Sequence, residues 1–256
     1  MWCRLNVKEK GSFMLHRKNW VLIGMMLCSA SAVMAASTMF IGSEGTMSAE
    51  VTFTASGTDL LVSLKNTSTL DALMPADILT AVFFESQVPL TLTRVSAIVP
   101  SGSIVLFGTT DPGGVVGGEW AYRSGLTTLP DNLRYGISSE GFGLFNPQDR
   151  FPGSNLQGGV SPTGLEYGIT TAGDDPSTGH ADVTGKFALI QNQVDFVLSG
   201  LPVGFNPYES ITDVMFQYGT ALSHPHCRGV FIPEPAALSL LAVGSLFAFR
   251  RRSVGA

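Results

Sequence analysis

The sequence predicts an all-β fold: a single β-sandwich or jelly-roll-like domain, with a signal-peptide helix in front and a short transmembrane helix behind. Three observations predict it. Apolar and polar residues alternate at period two through much of residues 36–232, as strands buried on one face require. Gly and Pro interrupt those runs at short intervals, which favours turns over long helices. No stretch of a dozen residues in that span carries a helical stripe.

In chain order, "AEVTFTASGTDLLVSLKNTS" alternates Val51, Phe53 and Ala55, turns at Ser56-Gly57-Thr58, and alternates again through Leu60, Val62 and Leu64. That is a hairpin pattern. "DILTAVFFES" and "LTLTRVSAIV" supply two strands on either side of Pro89. Further strands are predicted at 103–107, 119–123, 182–190, 193–198 and 211–218, with a turn over 129–135. Of the chain's 29 glycines, 16 fall within residues 108–179, so that region is assigned to loops of the one domain. Its aromatic residues Trp120, Tyr122, Tyr135, Phe142, Phe145 and Tyr167 predict that the loops pack in part.

The formal charge of the whole chain, −5, averages unlike parts. Residues 36–232 hold 18 acidic and 7 basic residues, a net −11. Such a surface repels phosphate backbones and argues against nucleic-acid binding. Cys3 and Cys28 lie near the N-terminus, leaving Cys227 alone in the domain. No disulfide can form within it, and an exposed Cys227 would be free to bridge to another molecule.

Residues 14–36 read "MLHRKNWVLIGMMLCSASAVMAA". A basic start (His16, Arg17, Lys18), an apolar stretch over 20–27 and a small-residue stretch over 29–36 give the three-part layout of a secretory signal peptide. Val33 and Ala35 suit the small pockets of signal peptidase, which places cleavage between Ala35 and Ala36. Met14 opens a better-proportioned signal than Met1. The alternative, an uncleaved anchor, has a short apolar run for a hydrocarbon layer of ~30 Å.

The chain closes with "VFIPEPAALSLLAVGSLFAFRRRSVGA". Residues 236–249 carry no charge, and a helix of that length covers roughly 21 Å, less than the bilayer core. Arg250, Arg251 and Arg252 resist translocation and hold their end on the cytoplasmic side. Pro233 and Pro235 break the helix on the other side and leave Glu234 in an extended, accessible peptide. This tail resembles the PEP-CTERM sorting signal of Gram-negative bacteria: Pro233-Glu234-Pro235, an apolar helix, then an arginine cluster. The resemblance implies transient membrane insertion, recognition by exosortase (a membrane-embedded cysteine transpeptidase), and delivery to the cell surface or exopolysaccharide. Segments "VSLKNTSTLDALMPADILTAVFF" and "ITDVMFQYGTALSHP" are similar to XDD-type exosortase-dependent surface proteins, a group with no established enzymatic activity.

Candidate chemistry in the domain is sparse. His224 and His226 in "SHPHC" are metal-competent types at i, i+2, and Pro225 between them suits a plain loop equally. Asp174 and Asp175 in "TAGDDPSTGHAD" offer oxygens for Ca²⁺ but lack an EF-hand spacing, and Asp-Asp-Pro also starts turns. Trp120 and Tyr122 share a strand face and offer an aromatic platform for sugar rings, burial in the core being the alternative. No Gly-x-Ser-x-Gly elbow is present. The sequence therefore favours a non-enzymatic exported protein with a structural, adhesive or glycan-binding role and no resident cofactor. A polysaccharide-acting hydrolase and a plain inner-membrane-anchored periplasmic protein are the alternatives.

Overall fold

A computed structural model describes residues 36–233. The expected signal peptide, including Ala35, and the tail from Glu234 through Pro235 to Arg250, Arg251 and Arg252 lie outside the described residues.

The described chain is mostly β, in two sheets. Its strands are β1 (Ser37–Glu44), β2 (Met47–Ser56), β3 (Asp59–Asn66), β4 (Leu79–Ser86), β5 (Thr93–Ile98), β6 (Ile104–Leu106) and β7 (Ala121–Ser124). They continue as β8 (Tyr135–Ser138), β9 (Ile169–Thr170), β10 (Leu189–Gln191), β11 (Gln193–Ser199), β12 (Ile211–Tyr218), β13 (His226–Arg228) and β14 (Val230–Ile232). One sheet runs β14-β1-β2-β3-β11-β5; the other runs β13-β12-β4-β9-β10-β6, with β8 also on β4 and β7 on β8. Among the described residues no helix is long and apolar enough to cross a membrane.

Local sequence explains the first sheet. Two-residue turns join β1 to β2 and β2 to β3, with Gly45 and Gly57 at φ 64° and 63°. A glycine at the first central position suits tight hairpins because it takes positive φ without steric cost. Ala49, Val51, Phe53, Leu60, Val62 and Leu64 all point inward and are fully buried, as the alternation predicts.

β4 is built differently. Its run "LTAVFFES" is buried along nearly its whole length, because both faces of this strand are covered. Leu79, Val82 and Phe84 enter the core shared with the first sheet, where Phe84 meets Phe53 at 5.0 Å between ring centroids. Ala81 and Phe83 face the other way, into a smaller cluster with Leu126, Leu129, Leu133 and Phe145. The glycine-rich loops thus fold over the outer face of the second sheet.

Residues 226–232 close one side of the molecule. β13 pairs with β12 in the second sheet, and β14, one residue later, pairs with β1 in the first. Gly229 sits at the crossing: a methyl there would lie 2.9 Å from Cβ of Val214 and 3.1 Å from Cβ of Phe40. In the antiparallel β1–β14 ladder, Ile232 lies opposite Met39. Ala36 and Pro233 therefore leave from the same end of that ladder.

Several expectations need correction. The strand expected over 182–190 is an irregular helical turn, Asp182–Lys186, followed by β10. Gly185 at φ 126°, the Lys186–Asp182 ion pair at 2.6 Å and a hydrogen bond from the Thr184 hydroxyl to the His180 carbonyl hold the turn. β1, β8, β9, β13 and β14 were not foreseen. Cys227, whose part in bridging the sequence leaves open, is buried on β13 opposite Phe216. Burial pushes its thiol up to about 11, away from the reactive thiolate.

Candidate functional site

The sequence-derived sites separate on folding. Trp120 is fully buried and Tyr122 nearly so, both in the main core. They do share a face, but it turns inward: Trp120 packs on Phe196 at 5.0 Å. The aromatic platform is thus corrected to a core contact. Around His224, the backbone N–H of Thr220 donates to Nδ1 at 3.1 Å, which ties the imidazole into its own loop, while His226 stands exposed on β13. Asp174 is buried and accepts from the Ala72 N–H at 2.8 Å; Asp175 accepts from the Ser177 N–H and hydroxyl. These two carboxylates hold turns and join the segment around Ala72 to the 174–178 loop. No group of three or more His, Cys, Asp or Glu positioned to hold a metal occurs among the described residues.

Two arrangements arise that no local motif announces. The first is a buried carboxylate group inside the glycine-rich region. Glu119, in the 3-10 turn Gly117–Glu119, accepts from the N–H groups of Leu156 and Gln157 and from the Ser161 hydroxyl. It is a fastener for the 156–161 loop. Glu140 and Glu166 each keep one buried oxygen without a hydrogen-bond partner. Burial pushes both carboxyls above the ordinary range, with Glu166 adding repulsion at Glu140 and Glu119 at Glu166.

This arrangement has a pH signature. A carboxyl whose folded pKa is raised stabilises the fold while protonated, and that contribution is lost as pH rises from the ordinary value, 4.5, through the raised one. Glu140→Gln removes the titration. It is expected to stabilise the protein at pH 7 by about 1 kcal/mol and to change little below the ordinary carboxylate range. Thermal melts of the two proteins across pH 4–7 check this; equal slopes would contradict it.

The second arrangement is a polar pocket of ≈ 370 Å³ whose lining includes Arg94, Arg123 and Asp149. Each residue has a structural reason to be there. On β5 the pairing with β11 shifts, so that Val197 faces Ser96 but Leu198 faces Arg94. Opposed residues share a sheet face, and a bulge re-aims side chains. Arg94 is therefore turned to the inner side, level with buried Leu198, and donates to the Tyr122 carbonyl at 3.2 Å. Arg123, on β7, donates to the Leu144 carbonyl at 2.6 Å. Asp149 ends the 3-10 turn Pro147–Asp149 and accepts from the Asn146 N–H at 2.9 Å. Both guanidiniums lie 3.7 Å from its carboxylate.

The charge balance here differs from the other ion pairs of the domain. Arg134 and Arg228 each hold their own carboxylate closely, Glu85 and Asp131, and Lys186 has Asp182 at 2.6 Å. Arg94 and Arg123 share one. The pocket carries a net positive charge within a strongly acidic domain. Its residues come from three distant segments, so sequence reading had no spacing by which to find it; the scarcity of basic residues was the only available signal.

Comparison with family models, curated proteins and solved structures returns no match for this chain.

Proposed function

We propose that the chain is an exported, non-enzymatic β-sandwich protein of a Gram-negative bacterium. In this reading signal peptidase removes residues 1–35, the tail lodges briefly in the inner membrane, and exosortase acts at Pro233-Glu234-Pro235. The product then resides at the cell surface or in the exopolysaccharide, with a structural or glycan-binding role. The Pro-Glu-Pro, apolar and triple-arginine order of the tail carries the proposal.

The fold supports it in one specific way. β14 ends one residue before Pro233, and it is laddered to β1, whose start lies next to the expected signal-peptidase site. Both segments read as membrane-directed would leave one end of the domain together. Cutting within Pro-Glu-Pro would remove the greasy tail and leave the β14 ladder whole, so release would not cost the domain its fold.

A hydrolase acting on matrix polysaccharide is the second reading, favoured by the crowding of carboxylates in which Glu166 repels Glu140 and Glu119 repels Glu166. Glu119 in this cluster is already committed to loop N–H groups, which favours the non-enzymatic reading.

The test compares wild type, Glu234→Ala and a strain lacking the sorting enzyme for size and location of the protein. Sorting predicts that loss of the enzyme, and the Glu234→Ala change, leave a larger, membrane-retained species. Unchanged size and location in both would identify a plain inner-membrane-anchored protein.

A further inference from the structure

We propose that the Arg94–Arg123–Asp149 pocket is a binding subsite for the carboxylate of an acidic sugar, a uronate residue within a polysaccharide. The choice of ligand rests on the exopolysaccharide reading above; the choice of pocket rests on geometry alone.

Two guanidiniums and one carboxylate leave the pocket one positive charge in excess. A monoanion neutralises it, whereas a phosphate monoester carries about −1.5 to −2 at neutral pH and would meet Asp149 unscreened. Guanidinium groups suit carboxylates because their planar donors match two oxygens at once. Arg94 directs one terminal nitrogen to the Tyr122 carbonyl, and Arg123 directs one to the Leu144 carbonyl. Each arginine has five N–H donors, so donors remain on both. Around them, Thr93, Ser124, Asn146 and Asp149 line the same pocket and offer the mixed donors and acceptors that ring hydroxyls need. Half-buried Leu92 lines it as well, a small apolar part against which a ring edge can rest.

The acidic domain around the pocket sets a limit on the ligand. At physiological salt, charges are screened beyond about 8 Å, so the pocket attracts one uronate locally while the rest of the surface repels a long polyanion. Recognition is therefore of a short stretch, or of single uronates spaced by neutral sugars.

The test titrates the purified full-length protein with a short oligogalacturonate, its neutral methyl ester, and inorganic sulfate. Calorimetry or chemical-shift changes give the affinities. Arg94→Gln and Arg123→Gln remove the charge while keeping an amide donor, and melting temperatures check that both fold. The acid is expected to bind, the ester and sulfate at least tenfold more weakly, and each variant to lose at least tenfold. Ester binding equal to acid binding, sulfate binding tighter than uronate, or full affinity in both folded variants would overturn the site. No uronate binding to wild type would overturn it as well. Binding is read on purified protein and sorting on cells, so either reading can fail without the other.

Discussion

Trp120→Ala is expected to destabilise the domain by about 4 kcal/mol, the loss typical of truncating a large buried aromatic. For a domain of this size that lowers the melting temperature by roughly 10 °C. The indole is fully buried and packs at 5.0 Å on Phe196, which also meets Phe151 at 5.4 Å. The backbone of Trp120 accepts from the Phe151 N–H at 2.8 Å, so the cavity opens where a loop is stitched to both sheets. Trp120→Phe should cost much less: it keeps most of the packing and removes an indole N–H that has no acceptor in the structure. Denaturation followed by far-ultraviolet circular dichroism checks both. A near-neutral Trp120→Ala, with weakened sugar binding instead, would restore the exposed-platform reading.

Gly118→Ala is the second large effect, expected at roughly 3 kcal/mol. A methyl there would overlap the Ser154 carbonyl oxygen, and one on Gly117 would overlap that of Pro152. These obstacles are backbone atoms, which cannot swing aside as a side-chain end can. Gly153 approaches less closely from the other side, its own Cβ position 2.8 Å from the Gly118 nitrogen. By contrast, a substitution at Gly173, around which nothing crowds, should be near neutral. Melting temperatures of the two alanine variants test the contrast, and equal values would contradict the backbone contact.

Both predictions fall on "GGEW", residues 117–120. Its glycines admit the 152–154 backbone, Glu119 fastens 156–161, and Trp120 enters the core. Sequence reading assigned these glycines to loop freedom, whereas folding uses Gly117 and Gly118 for close approach. That use depends on which distant segment arrives, and local sequence does not encode it. Where the physics is local, sequence was legible: the Val51–Phe53 and Leu60–Leu64 alternation, the Gly57 turn, and the 211–218 strand recur in the structure. Short strands such as β9 and β14 were not legible. Two or three residues carry no period, and their identity as strands comes from the partner they pair with. The same holds for Arg94, aimed by a register shift against β11.

The central claim, export followed by removal of both ends, is tested most directly by the intact mass of the mature protein recovered from cells. It should begin at Ala36 and end at or near Pro233-Glu234-Pro235, without Arg252. A mature chain that still carries the arginine cluster would contradict the claim.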